Sequence, residues 1–299
     1  MAVSFYKVKK WYKMLAGKSI SHVSQGRGQR FSKETIGGYY NDLTGKVLYR
    51  DKKVLIPKSY VDTGEHIFFP IEIFQFGLGA YDLYLADRKK NYKEKVLACA
   101  DWAVKCQQEN GGWSTFSYAN KKHPYSSMAQ GEGISLLVRA YILEKKENYR
   151  IAAVKAKKFM LLPIENGGTT LYQGDDVYLY EFTYEPLVLN GWVFSLWGLL
   201  DYLKVFDDDS AQMIYNKSLQ TMKKTLPQFD AGFWSRYELG KRISSPFYHK
   251  LLISQLEVMY ELTGEKIFRD YADKFDAYNR NFIYRYLAFL IKALQKIFE

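Results

Sequence analysis

Apolar residues recur along the chain in long helical runs, and the runs come in pairs. The first run of each pair, such as Tyr92 to Gln107 or Arg150 to Leu162, has lysines on one face and apolar residues on the other, as an outer helix should. A glycine step follows in three places: Cys106-Gln-Gln-Glu-Asn-Gly-Gly-Trp113, Leu162-Pro-Ile-Glu-Asn-Gly-Gly-Thr169 and Leu226-Pro-Gln-Phe-Asp-Ala-Gly-Phe233. After a variable polar and aromatic stretch comes a second run, apolar nearly all round. These second runs begin near Phe69, Tyr125, Pro186 and Phe247, at spacings of 56, 61 and 61 residues. They contain Gly77, Gly79, Gly131, Gly133, Gly191 and Gly198. Glycine costs about 1 kcal/mol in a helix interior relative to alanine, so its recurrence points to close packing.

A chain of helical hairpins follows from this repeat. An open solenoid and a closed ring both satisfy it. The second helices look too apolar to line an exposed concave face, which favours an all-α (α/α) toroid over residues 66–299. The glycine loops then open at one rim. Residues 1–65 break the pattern. Gly26-Arg-Gly28, Gly37-Gly38 and the stretch from Tyr49 to Tyr60 predict an arm of loops with a short hairpin, packed on the barrel.

Composition narrows the partners. The chain has 43 basic and 32 acidic residues, a net charge of +11, which favours polyanions: nucleic acid, anionic lipid or acidic glycan. Its 26 tyrosines and six tryptophans tilt the choice to sugars, whose rings stack on aromatic faces. No nucleic-acid-binding module is recognisable. Cys99 and Cys106 lie seven apart on one expected helix, too far along its axis to bridge; reduced core cysteines and a cytoplasmic protein are expected. The Met1–Leu15 stretch is broken by Lys7, Lys9, Lys10 and Lys13, and leaves no apolar stretch of signal-peptide length. The tail from Phe282 to Phe298 is apolar but carries Arg285, Lys292 and Lys296. Three roles are open to it: a closing helix, a homodimer contact, or peripheral contact with an anionic membrane.

Several familiar chemistries have no signature. Gly17-Lys18-Ser19 resembles the end of a phosphate loop, but Tyr12 stands where the first glycine belongs. His22, His66, His123 and His249 show no paired metal-ligand spacing, and there is no nucleophile elbow or dinucleotide fingerprint. No metal and no cofactor are expected. Chemical promise gathers instead in three loops at equivalent places in the repeat: Tyr178-Leu-Tyr180-Glu181-Phe182-Thr-Tyr184-Glu185-Pro186, Trp234-Ser-Arg236-Tyr237-Glu238, and Pro246-Phe-Tyr248-His249-Lys250. Any one of these tyrosines, taken alone among 26, reads better as a packing residue than as a catalytic one, and Glu181 or Glu185 also suits a helix N-terminus. Their matched placement at one rim argues for a site.

Three segments resemble the catalytic domain of glucuronyl C5-epimerases of the heparan sulfate and heparosan type. They are Phe68-Phe-Pro-Ile-Glu-Ile-Phe-Gln-Phe-Gly-Leu-Gly-Ala-Tyr81, Tyr125-Ser-Ser-Met-Ala-Gln-Gly-Glu-Gly-Ile-Ser-Leu-Leu-Val-Arg-Ala-Tyr141 and Leu187-Val-Leu-Asn-Gly-Trp-Val-Phe-Ser-Leu-Trp-Gly-Leu199. The resemblance runs from about Tyr60 to Leu262. It implies an isomerase that inverts C5 of glucuronic acid in an acidic polysaccharide. It further implies Glu181, Tyr237 and Tyr248 as catalytic residues. Arg236, Lys241, Arg242 and Lys250 are the nearby cations expected to hold the uronate carboxylate, and Tyr180, Tyr184, His249, Gln130 and Asn190 are the other expected substrate contacts. Two departures stand out: Phe182 replaces a family tyrosine, and Gly240 stands where the family has an arginine. A β-rich region that animal members carry between the first two segments is missing, only about 45 residues separating them. Three rival readings share these features: a polysaccharide lyase acting by β-elimination, an unsaturated-glucuronide hydrolase, and a non-catalytic binder of acidic glycan.

Overall fold

The computed structural model describes residues 22–61 and 63–298, and most of them are helical. The basic Met1–Leu15 stretch and Gly17-Lys18-Ser19 lie outside the described residues. The glycine-punctuated repeat appears as four helical hairpins. In chain order they are α2 (Pro70–Asp87) with α3 (Lys90–Cys106), α4 (Ser127–Glu144) with α5 (Glu147–Met160), α6 (Leu189–Leu203) with α7 (Asp209–Thr225), and α8 (Pro246–Thr263) with α9 (Lys266–Arg280). A last helix, α10 (Phe282–Phe298), follows Asn281 directly.

The helices start where local chemistry stops the chain from extending. The Ser126, Asp208 and Ser245 side chains accept from the backbone N–H of Ala129, Ala211 and Tyr248, capping α4, α7 and α8. Pro70 and Pro246 sit in the first turns of α2 and α8, where no N–H is needed. Helices α2, α4, α6 and α8 are buried over most of their surface, whereas α3, α5, α7 and α9 bury one stripe. The buried helices pack in a row, α2 on α4, α4 on α6 and α6 on α8, and each takes its own outer partner behind it.

The N-terminal arm holds a short helix, α1 (Gly45–Leu48), and a two-residue antiparallel pair, β1 (Ser59–Tyr60) with β2 (His66–Ile67). Its Tyr39, Tyr40, Leu43 and Val47 belong to the same apolar core as the hairpins. The arm is tied to α2 by Lys46 Nζ and Arg50 Nη2, each 2.6 Å from the Glu72 carboxylate, and by the Tyr39 N–H donating to Asp82. Tyr40 donates its hydroxyl to Asp201 of α6, which also pairs with the buried Arg139 of α4. At the other end of the row Arg27 pairs with Glu261 of α8, and the His22 ring meets Phe247 edge-on. The arm therefore touches both ends of the row.

Two expectations need correcting. Cys99 is buried as expected, but Cys106, the last residue of α3, is exposed. The stretch after Gly168 is not plain loop: Thr170–Gln173 (β3) pairs antiparallel with Asp176–Leu179 (β4), a hairpin hidden from a helix-period reading because each strand is only four residues long. Among the described residues no helix is long and apolar enough to cross a membrane.

Helices α4 and α6 touch backbone to backbone. A Cβ on Gly198 would lie 2.3 Å from the Cα of Gly131. A Gly198→Ala protein is expected to lose about 3 kcal/mol of stability or more, because main chain rather than a side-chain tip must move. Gly26→Ala, which meets nothing within 4 Å, should stay within about 0.5 kcal/mol of wild type. Urea unfolding of the two variants checks the difference.

Candidate active site

Strand β4 ends by delivering Glu181 between α4 and α6. The carbonyl of Tyr180 accepts from Ser127 N–H at the start of α4, which fixes the chain there. Gly191, in the first turn of α6, leaves the space that the Glu181 side chain fills: a Cβ on Gly191 would lie 2.4 Å from Glu181 Oε2. Glu181 is only 6% exposed and its Oε2 has no hydrogen-bond partner. Burial disfavours the charged form and pushes the carboxyl from its ordinary 4.5 to about 8, against a smaller opposing pull from the Arg242 guanidinium.

The second loop is held beside it by main-chain bonds. Val188 and Glu238 form a β-bridge, and Leu239 N–H donates to Leu187 O, docking residues 236–243 on the segment that leads into α6. An Arg236–Ile243 bridge and a Tyr237 N–H···O=C Arg242 bond close that loop into a tight turn. Tyr237 comes to lie with its ring centroid 5.1 Å from that of Tyr248 in the first turn of α8. Burial, and then the Glu181 charge, hold the Tyr237 phenol well above its ordinary range; Arg242, with its guanidinium carbon 5.8 Å from the ring, pulls the other way. Arg242 is itself braced by ion pairs to Glu185 and Glu238.

Glu181, Tyr237, Tyr248 and Arg242 are thus brought together. Tyr180 and Arg236 flank them half-buried, and Tyr184 stands 37% exposed at the rim with its ring near Phe182 and His123. Asn190 is nearly buried beside Gly191. Lys241 and Lys250 are solvent-exposed. Phe182, in place of a family tyrosine, packs its ring 4.4 Å from Phe116.

Two expected substrate contacts are structural instead. His249 is wholly buried: its ring stacks on Trp234 at 3.5 Å, Nδ1 accepts from Ser235 N–H, and Nε2 donates to Phe275 O. With both nitrogens engaged and burial lowering its pKa to about 4, it is a neutral clamp joining the Tyr237 loop to α8 and α9. Gln130 is also wholly buried, accepting from Trp113 N–H and donating to Gly111 O and Ala156 O. It secures the first glycine step, and with both N–H donors used and the side chain wholly buried it presents nothing to a sugar.

Sequence reasoning passed over three residues near the site. Glu132, two positions after Gln130 in α4, is buried with Oε1 accepting from Gln75 and Oε2 unpaired. Burial drives its carboxyl well above the ordinary range, and the charge of Glu181 adds to the effect. A carboxylate in the middle of a run of buried helix positions was the available signal. Glu238 braces Arg242, and Lys292 of α10 reaches the Tyr237 ring. Among the described residues no group of three potential ligands is arranged to hold a metal ion.

Glu181 gives the site a pH signature. Its folded-state pKa of about 8 exceeds the ordinary 4.5, so the folded protein holds a proton that the unfolded chain releases between these values. Stability at this site therefore falls as pH rises from about 4.5 to about 8, by up to about 1.4 kcal/mol per pH unit. Glu181→Gln should gain on wild type across this window and run parallel to it below pH 4.5, as measured by chemical unfolding at a series of pH values.

Comparison with known proteins bears on the same residues. A D-glucuronyl C5-epimerase of Caenorhabditis elegans is 28% identical over 223 residues, covering 65% of this chain and 36% of that protein. An uncharacterised protein of Methanocaldococcus jannaschii is 32% identical over 138 residues, covering 44% of each. The matches span less than half the length of either relative. The family model described as D-glucuronyl C5-epimerase C-terminus matches residues 107–277, more than half of the chain and the whole of the Glu181–Tyr237–Tyr248 cluster. This chain belongs to the D-glucuronyl C5-epimerase C-terminus family.

Proposed function

We propose that the protein inverts C5 of glucuronic acid units in an acidic polysaccharide, at a site formed by Glu181, Tyr237 and Tyr248. The supporting observation is a buried carboxyl with one oxygen unpaired, beside two adjacent phenols and a braced guanidinium. In this reading the four hairpins close into an (α/α) toroid, with the N-terminal arm spanning the gap between α2 and α8 and the site at the rim. The arm and the hairpins then form one working unit.

Epimerisation breaks the C5–H bond, and its electron pair moves into the neighbouring carboxylate as an enolate. A proton then returns to C5 from the opposite face. The already negative carboxylate makes that hydrogen weakly acidic, so cations and hydrogen-bond donors must hold the developing charge. Arg242 and the half-buried Arg236 supply charge, and Tyr237 supplies a hydroxyl kept protonated by its burial. Two acid–base groups are needed, one on each side of the ring. Glu181 is one: near neutral pH it holds a proton to give and, with a pKa of about 8, accepts one back readily. Tyr248 is the other: its ionised oxygen takes the C5 proton on one face while Glu181 gives its proton on the opposite face, and the reverse direction exchanges the two roles. Tyr180, Tyr184 and the exposed Lys241 and Lys250 extend the surface along the glycan chain.

The β-elimination reading uses the same enolate, so the test separates the two. Incubation with heparosan and other uronic acid polymers in heavy water is expected to place deuterium at C5 without chain cleavage. Ultraviolet absorbance from a new double bond would assign a lyase, and saturable binding with neither signal a non-catalytic glycan binder. Glu181→Gln and Tyr248→Phe should each slow exchange by about 10²- to 10⁴-fold, the range for loss of a positioned acid–base group.

A further inference from the structure

The C-terminal helix α10 lies wholly beyond the residues matched by the family. It has two faces. Phe282, Ile283, Tyr286, Leu290 and Leu294 are exposed on one. On the other, Tyr284, Ala288, Ile291, Lys292 and Gln295 follow helical spacing and turn inward. Tyr284 sits with its ring near Phe233 and Tyr278, and Ala288 is wholly buried in a cluster with Trp234 and Ile243. The Gln295 side chain donates to Lys241 O at 2.8 Å and accepts from Ile243 N–H at 3.2 Å. So α10 grips both ends of the loop that carries Tyr237.

That grip brings Lys292 in. One turn before Gln295, it is only 5% exposed, and its Nζ stands 5.8 Å from the centroid of the Tyr237 ring. Lysine side chains on surface helices normally extend their ammonium to water. A methionine or leucine would fill this volume without the desolvation cost of a buried ammonium. The other cation at the ring, Arg242, comes from the Tyr237 loop itself, so Lys292 brings a second positive charge to the ring from a separate element.

We propose that Lys292 is a positioning residue of the active site, its ammonium carried in by the C-terminal helix to strengthen the Tyr237 hydroxyl as a hydrogen-bond donor. The groups that act on Tyr237 then come from every element around it. Glu181 precedes α6, Glu238 and Arg242 belong to its own loop, Tyr248 comes from α8 with His22 edge-on to it, and Lys292 comes from α10. The carboxylates favour the phenol, and the cations favour the phenolate and any negative charge that develops beside it. The catalytic part of this role rests on the epimerase reading; the electrostatic part does not.

Two measurements on the full chain test it. Protein labelled with fluorotyrosine, whose phenols ionise at lower pH than tyrosine, is titrated by fluorine NMR. The Tyr237 signal is assigned by its loss in Tyr237→Phe. Tyr237 is expected to ionise at higher pH in Lys292→Met and Lys292→Gln than in wild type, and to return toward wild type in Lys292→Arg. In the heavy-water assay kcat should fall about tenfold in the two neutral variants and KM by less than about twofold, with arginine restoring most of the rate. Identical Tyr237 titration in wild type and both neutral variants overturns the proposal, even if C5 exchange is present. If wild type exchanges no uronate, the epimerase reading falls while the titration still decides the role of Lys292.

Discussion

A seam of small residues between α4 and α6 governs the rest of the molecule. Gly131 meets Gly198 main chain to main chain, and Ser127 and Ser195 join their hydroxyls along the same line. With larger side chains the two helices would stand apart by the width of a methyl group or more. Gly191 lies two turns before Gly198, on the same face of α6, and there the seam opens just enough to take the Glu181 carboxyl. One packing constraint therefore sets both the spacing of the inner helices and the depth of the acid.

Depth is what makes the acid chemically useful. A carboxyl at the surface is ionised near neutral pH and holds no proton to give. Glu181 keeps its proton because the seam excludes water and supplies no hydrogen-bond donor to Oε2. Glu132 deepens the same acidic interior from α4. The charge that opposes this, the Arg242 guanidinium, stands by the Tyr237 ring. The neutral His249 clamp belongs to the same logic, for it fixes the Tyr237 loop without adding a charge that would shift its neighbours.

Much of this was legible in the chain. Apolar periodicity and recurrent glycines gave the hairpins, and the helices begin at Pro70, Ser127, Leu189 and Pro246, within three residues of the expected starts. The family segments pointed to Glu181, Tyr237 and Tyr248, which the fold gathers. The resemblance could not separate binding from packing: Gln130 and His249 were expected substrate contacts, yet each is held by internal hydrogen bonds. That distinction depends on partners up to 26 residues away, such as Phe275 O and Ala156 O. Lys292 was hidden for a related reason. In sequence it reads as one charge interrupting an apolar tail, and only the docking of α10 through Gln295 shows which way it faces.

The arm that spans the row has a consequence for how the chain matures. Its Tyr40 waits for Asp201 and its Arg27 for Glu261, 161 and 234 residues further on. A ribosome delivers the arm first and its anchors last. Until α6 and α8 emerge, Tyr39 and Tyr40 have no complete core to enter, and the hairpins already made lack the strap across their ends. Contacts so distant along the chain make for slow closure. Closing the row with the arm is therefore expected to be the slow step of folding.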